Sequence, residues 1–432
     1  MKKLDVYYMF FLSLLLSSSI AQVSKPIDIT STTTIIVDSA QYYKEPFRPQ
    51  FHFSPEKKWM NDPNGMLYFK GTYHLFYQYY PEDIVWGPMH WGHATSSDLI
   101  HWQHQKIALY PDELGYIFSG SAVMDVNNTS GLGTKENPPM ISIFTYHNME
   151  FEKAGKINMQ TQGLAYSLDE GQTWKKYEAN PIINNFNLRD FRDPKAFWNG
   201  DTKKWNLVLV AGDRAQIYTS DNLLQWKLES EFGQNNGAHG GVWECPDLFK
   251  LKTENNQEEK WVLLVSINPG APSGGSATQY FIGDFDGKTF TTSQKDTKWV
   301  DNGTDNYAGV TYNDTPNGER IFMGWMSNWN YARNTPTTNW RSAMTLPRTL
   351  SLSTIKGDYV LQSKPVAQFD QQLTTAFSKE KIKIKKGSEK TLNYSNFNQS
   401  QIQFKAANKN LKLVFSNEVN DSLVLNYDAQ KQ

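Results

Sequence analysis

The chain has 432 residues, room for two or three ordinary domains. Its formal charge is −1, from 43 basic and 44 acidic residues, so it lacks the basic field that a nucleic-acid partner would require. The lone cysteine, Cys245, excludes an intramolecular disulfide and any multi-cysteine zinc site. The chain opens on a secretory leader, residues 1–21. Lys2 and Lys3 form a basic start, residues 7–16 are almost unbroken apolar, and Ser19-Ile20-Ala21 offers small residues for cleavage. That run is shorter than the roughly 20 residues a membrane span needs. We therefore expect a secreted protein, extracellular or periplasmic, with no membrane span.

After a lead-in over residues 22–45, short apolar and aromatic runs alternate with Gly, Asn, Asp and Pro clusters, the pattern of many strands joined by turns. Two weak repeats run through them. One is a turn followed by an aromatic, as in Ser97-Asp98 to Trp102, Ser167 through Asp169 to Trp174, Ser220-Asp221 to Trp226, and Asp284 through Asp286 to Phe290. The other opens a strand with a short polar motif: Asn61-Asp62-Pro63, Phe118-Ser119-Gly120-Ser121, Arg192-Asp193-Pro194, Glu244-Cys245-Pro246 and Asp305-Asn306-Tyr307-Ala308. Five openings interleaved with four turns indicate an all-β fold, a five-bladed β-propeller over residues 46–350, with a large sandwich as the alternative. In a propeller these openings would meet at one mouth of the central channel. From Leu350 the texture changes: Trp disappears, and Ile402-Gln-Phe-Lys-Ala406 and Leu411-Lys-Leu-Val-Phe415 read as strands of a second domain. Residues 351–432 fall short of the roughly 100 that a two-sheet sandwich takes, so a partial C-terminal β-sandwich is expected.

The openings carry the chemistry. Proline cannot donate to a sheet ladder, so Pro63, Pro194 and Pro246 present acids at strand ends. Paired carboxylates perform glycoside hydrolysis, one as nucleophile and one as general acid. A loop acid that merely caps a turn is the competing reading. Arg192 should hold the neighbouring Asp193 ionised. With Trp, Tyr and Phe at 14% of the chain, flat faces suited to sugars are abundant. Six histidines between His52 and His104 raise the question of a metal, but residues scattered over several strands rarely converge, and we expect neither metal nor cofactor. His93 reads as a buried, hydrogen-bonded histidine.

Trp59-Met60-Asn61-Asp62-Pro63-Asn64-Gly65 resembles the signature of glycoside hydrolase family 32, the invertases, inulinases and levanases. Gln78, Trp86-Gly87, Trp91-Gly92-His93-Ala94, Phe118-Ser119-Gly120-Ser121, Phe191-Arg192-Asp193-Pro194, Trp243-Glu244-Cys245-Pro246 and Gly324-Trp325-Met326 follow in that family's order. The resemblance covers roughly residues 50 to 350 and implies a five-bladed propeller followed by a sandwich. It implies a retaining hydrolase, secreted if the leader is cleaved, that releases terminal fructose from sucrose or a fructan, with Asp62 as nucleophile, Glu244 as acid/base and Asp193 binding fructose hydroxyls. Asn61, Asn64, Gln78, Ser119, Arg192 and Trp325 would line the pocket, with Trp86 and Phe118 as its apolar wall. Two other readings compete: a sialidase, suggested by the Asp-box-like turn at Ser167–Trp174, and a sugar-binding propeller without activity. Sparse arginine weighs against the first, and three carboxylates weigh against the second.

Overall fold

Most strands of this chain are rich in Val, Ile, Leu and aromatic residues, and the middle strands are apolar on both faces, as a sheet packed between two others requires. The computed structural model describes residues 8–12, 42–254, 258–375, 378, 382–394, 400–405, 410–418 and 421–430. Residues 52–371 form one unit built of five antiparallel sheets, each ordered along the chain from its first strand outward. Blade I comprises Lys58–Phe69, Thr72–Tyr80, His90–Ser96 and Gln103–His104. Blade II comprises Tyr116–Met124, Met140–His147, Gln160–Ser167 and Lys175–Lys176. Blade III is Phe191–Asn199, Lys204–Ala211, Ala215–Ser220 and Lys227–Phe232. Blade IV is Val242–Lys252, Glu259–Asn268, Ala277–Phe285 and Phe290–Thr291, with Lys298–Trp299 added beside its third strand. Blade V is Tyr307–Thr311, Arg320–Trp325, Arg348–Ile355 and Asp358–Pro365.

The first strands touch in a closed ring, I to II to III to IV to V and back to I, which makes the unit a five-bladed β-propeller. Trp340–Arg341 lies parallel to Lys58–Trp59 and ties blade V to blade I, with Lys58 N donating to Asn339 O at 2.7 Å. Apolar side chains fill the gaps between blades. Ile143 and Leu164 meet Leu207 and Leu209 between II and III, and Val208 and Val210 meet Leu248 and Leu263 between III and IV. Phe249 and Leu264 meet Phe322 and Leu350 between IV and V.

All five inner strands carry a β-bulge at the same place. Pairing steps from Met60 to Pro63, Ile117 to Gly120, Arg192 to Lys195, Glu244 to Asp247 and Tyr307 to Val310, so two residues face one on the partner strand each time. These are the five polar openings seen in the sequence. In blades III, IV and V the first bulge residue takes a positive φ: Asp193 at 63°, Cys245 at 45° and Ala308 at 53°. Each bulge kinks the strand at the channel mouth and re-aims its side chains.

Two details differ from the sequence reading. Leu350 lies inside the third strand of blade V, paired with Arg320 and Ser363. The alternation in Arg348–Ile355 is that of a blade strand, and the loss of Trp there does not mark a new domain. In the third turn repeat the pivot is Asn222, whose Oδ1 accepts from Leu224 N and Gln225 N at 3.1 and 3.0 Å, while Asp221 faces solvent.

Met1–Phe51 and Gln372–Gln432 form a second unit. In it Leu411–Ser416 pairs with Ser422–Tyr427, bringing Leu411 opposite Tyr427, Leu413 opposite Leu425 and Phe415 opposite Leu423. The expected leader lies outside the described residues except Tyr8–Leu12, which pairs with Ser400–Phe404. Most of the lead-in also lies outside them. Among the described residues no helix is long and apolar enough to cross a membrane.

Candidate active site

The bulges gather the expected acids from blades I, III and IV. In blade I, Trp59 Nε1 holds Asn61 Oδ1 at 2.8 Å, which turns the amide nitrogen toward Asp62 Oδ1 at 3.0 Å. The other oxygen of Asp62 accepts from Ser119 Oγ of blade II at 2.7 Å and lies 3.6 Å from Cys245 Sγ of blade IV. Asn64 donates to Ser119 Oγ at 3.2 Å and accepts from Gln78 N and Nε2, each at 3.0 Å, in the amide orientation its neighbours dictate. Gln78 Nε2 also reaches Ile117 O at 3.1 Å.

In blade III the backbone N of Asp193 donates to Thr145 Oγ1, and its carboxylate accepts from Cys245 N, both at 2.9 Å. Arg192 is the hub. It donates to Asp190 at 2.8 Å and to Glu244 Oε1 at 3.0 Å, while its Nε stays 3.8 Å from Asp193. The second oxygen of Glu244 accepts from the Tyr307 hydroxyl of blade V.

Burial dominates the electrostatics. It pushes Glu244 up to about 7, opposed by Arg192 and assisted by Asp193 and Asp62. Asp193 rises to about 6 for the same reason, so Arg192 does not hold it below the ordinary carboxylate range as the sequence suggested. The guanidinium directs its hydrogen bonds to Asp190, Glu244 and, at 3.5 Å, Gln160 instead. Asp62 is also raised by burial, against the donors Ser119, Asn61 and Cys245. Burial and the surrounding carboxylates push the Cys245 thiol well above its usual range, so it stays a neutral thiol and not a thiolate. Burial disfavours the Arg192 charge, but Glu244, Asp193 and Asp190 outweigh it and the group stays cationic.

The remaining expected residues divide. Trp86 and Phe118 meet edge to face at 6.0 Å, and Phe118 stacks on His147 at 4.3 Å. Trp325 has no exposed surface. Its ring is packed among Trp59, Tyr307 and Trp329 with centroids 4.9–6.4 Å away. His93 is buried, stacked on Phe76 at 4.2 Å and 3.1 Å from His74. Among the described residues no group of three His, Cys, Asp or Glu side chains is arranged to hold a metal.

Below the acids the channel axis is filled. The ammonium of buried Lys195 binds Thr311 O and lies 3.5 Å from Asp247 Oδ2, which accepts from Thr311 N at 2.6 Å and Oγ1 at 2.7 Å. Asn313 Nδ2 bridges Ala122 O at 2.8 Å and Ala196 O at 3.1 Å, joining blades II and III. These buried side chains close the channel beneath the acids. The Asp-box-like turn follows the third strand of blade II at the end away from the mouth, where Asp169 binds Thr173 N and Oγ1.

Sequence reasoning passed over Tyr307, Asp190 and Thr145. Tyr307 was legible in principle. Aligning the five openings puts Arg192, Glu244 and Tyr307 at one register position, the residue before the bulge, and these three are hydrogen-bonded in series. Asp190 and Thr145 sit outside the repeated motif and carry no comparable signal.

Fold and site together define a five-bladed propeller with three carboxylates from three blades converging at one mouth. Residues 52–365 match the model of the glycosyl hydrolases family 32 N-terminal domain, and the chain belongs to that family. It is 53% identical over 336 residues to a levanase of Bacillus subtilis, covering 77% of this chain and 48% of the relative. An extracellular exo-inulinase of Aspergillus niger is 47% identical over 351 residues, covering 75% of this chain and 65% of the relative. Among solved structures, a fructofuranosidase from Schwanniomyces occidentalis complexed with fructose superposes with TM-score 0.70 at 41% identity, covering 77% of this chain and 65% of that one. The chain thus spans about half the length of the levanase and under two thirds of the inulinase.

Proposed function

We propose that this chain is a secreted, retaining β-fructofuranosidase that releases the terminal fructose of sucrose or a fructan. The observation that carries the reading is the contrast between two carboxylates sharing one pocket. Burial raises both, but at Asp62 it is opposed by hydrogen bonds from Ser119, Asn61 and Cys245, whereas Glu244, crowded by Asp193 and Asp62, is pushed up to about 7 and so stays available as an acid. In the first step an oxygen of Asp62 attacks the anomeric carbon of the fructofuranosyl unit. The bond to the leaving oxygen breaks, and that oxygen takes the proton of Glu244, leaving a fructosyl ester on Asp62. In the second step Glu244, now ionised, removes a proton from water, which attacks the same carbon and expels Asp62.

Asp193 is suited to bind the fructose hydroxyls, since Cys245 N and Thr145 fix its position. Asn61, Asn64, Gln78, Ser119 and Arg192 would hold the same ring. Trp86 and Phe118 would form its apolar wall, and Trp325 would back the pocket through Trp59. The filled axis beneath the acids favours attack at a chain end. Export through a cleaved leader belongs to the same proposal, and the mature protein should begin at Gln22.

Incubation with sucrose, inulin and levan tests the activity by released fructose, and proton NMR of the first product tests the route. β-Fructofuranose is expected. Early α-anomer would remove Asp62 as nucleophile, and binding without hydrolysis of all three would favour the sugar-binding reading. Glu244→Ala should lose ~10²–10⁴-fold on sucrose, the size of a general acid/base contribution. On a fructosyl fluoride, which departs without a proton, ester formation should be largely spared and azide should speed its breakdown, while Asp62→Ala stays inactive on both.

A further inference from the structure

Phe186 is 89% exposed, far more than any other large apolar residue described. It sits on the chain that leads from blade II into the inner strand of blade III, on the mouth face. One end of that segment is tied by Gln162 N donating to Ile183 O at 3.0 Å, the other by Gly212 N donating to Asp190 O at 3.2 Å. Between these anchors, the buried side chain of Asn185 accepts from Asn187 N at 3.0 Å and Leu188 N at 2.8 Å, and donates to Leu188 O at 2.8 Å. The ring of Phe186 is thus presented to water by a braced turn. Asn184, Asn187 and Arg189, all exposed, flank it with hydrogen-bonding groups.

The segment ends in Asp190, which grips Arg192, which in turn grips Glu244. Direction follows from the chemistry. In a displacement at the anomeric carbon the leaving group departs on the side opposite the nucleophile, and here that is the side of Glu244, away from Asp62. Sugar residues attached to the leaving oxygen must therefore leave the mouth past the Arg192–Glu244 pair. A flat apolar ring with polar neighbours matches the C–H face and hydroxyl edge of a sugar.

We propose that Phe186 is the platform for the second and third residues of a fructan chain on the leaving-group side. This inference rests on the fructosidase reading above. The residue next to the cleaved bond lies in the pocket, so sucrose, which has only that residue, does not reach Phe186. A contact this far from the reacting carbon is made equally in ground and transition states, so its loss appears in KM and not in kcat.

The test compares the full-length wild type with Phe186→Ala and Phe186→Tyr on sucrose and on the inulin-type pentasaccharide fructosylnystose. Because the side chain is almost wholly exposed, folding is not at stake. Phe186→Ala should raise KM for the pentasaccharide roughly five- to tenfold, the scale of partly uncovering one apolar side chain, with kcat within about twofold and sucrose kinetics unchanged. Phe186→Tyr should restore the wild-type KM. Equal KM for wild type and Phe186→Ala on the pentasaccharide overturns the inference, as does an equal loss on both substrates. Wild type that releases no fructose from either would overturn the underlying activity as well, an outcome distinct from an active enzyme indifferent to Phe186.

Discussion

Tyr307→Phe isolates one interaction of Glu244, the proposed acid/base, and leaves the rest of the pocket in place. The phenol of Tyr307 donates to Glu244 Oε2 while Arg192 donates to the other oxygen, so both stabilise the carboxylate in its ionised form. Removing the Tyr307 donor leaves Arg192 alone against burial, and the pKa of Glu244 must rise from about 7. A hydrogen bond to a charged group contributes about 1.5–3 kcal/mol, and one pKa unit corresponds to about 1.4 kcal/mol. The expected displacement is therefore about one to two pH units upward. The alkaline limb of kcat/KM on sucrose reports the free enzyme's acid, so in the variant it should move from near 7 to about 8 or above. On fructosyl fluoride, where no proton is needed, neither enzyme should show a limb from Glu244 in kcat/KM. The measurement is initial rates at sub-saturating substrate over roughly pH 5 to 9. An alkaline limb that stays in place or moves down would show that Tyr307 does not tune Glu244, and a matching limb on the fluoride would assign it to another group.

Three further outcomes follow from buried charge. Burial holds His52 and His74 neutral with pKa values of about 4, below the unfolded value near 6.5, so the unfolded chain binds more protons between those limits. Their contribution to stability should be full above about pH 6.5 and be lost on acidification, by up to about 3 kcal/mol for each; a His52→Gln variant whose urea midpoint keeps the same gap to wild type from about pH 7 to 4.5 would contradict this. Glu244 runs the other way, its folded pKa being raised, so its ionisation weakens the fold as pH climbs from the unfolded value through about 7. Glu244→Gln should therefore melt higher than wild type at about pH 8, by up to roughly 3 kcal/mol, and close to it at about pH 4.5. A scanning-fluorimetry difference independent of pH would refute that account. Lys195→Met should destabilise by about 3–5 kcal/mol, because it leaves the carboxylate of Asp247 buried without its cation; an unchanged denaturation midpoint would mean the axial pair is not holding the ring.

Much of this was readable from residues. The five polar openings correspond one for one to the five inner-strand bulges, because Pro, Gly and short polar side chains mark places where a ladder is interrupted. The pocket residues adjacent to those motifs came with them. Two things were hidden. The balance at Asp193 depends on burial and on which partners Arg192 selects, and neither is a property of the neighbouring letters. The outer strands of blade V were obscured because they are in large part only half-buried, rich in Ser and Thr and free of Trp, and so read as the start of something new.

The common register also explains how one repeat yields both a reactive mouth and an inert floor. The residue before the bulge supplies Arg192, Glu244 and Tyr307, and the bulge itself supplies Asp62, Ser119 and Asp193. The residue after it supplies Lys195 and Asp247, which pair with each other across blades III and IV. Glu244 and Asp247 are thus acids three residues apart on one strand with opposite fates. Asp247 meets a cation and two donors from Thr311 and serves as a strut. Glu244 sits one bulge higher, where Asp62 and Asp193 oppose its charge and only part of that opposition is relieved by Arg192. The strain of crowding three acids is confined to the mouth because the layer directly beneath is neutralised. Moving the Lys195–Asp247 pair upward by one step would quench the proposed acid, and removing it would take away the floor beneath the three carboxylates.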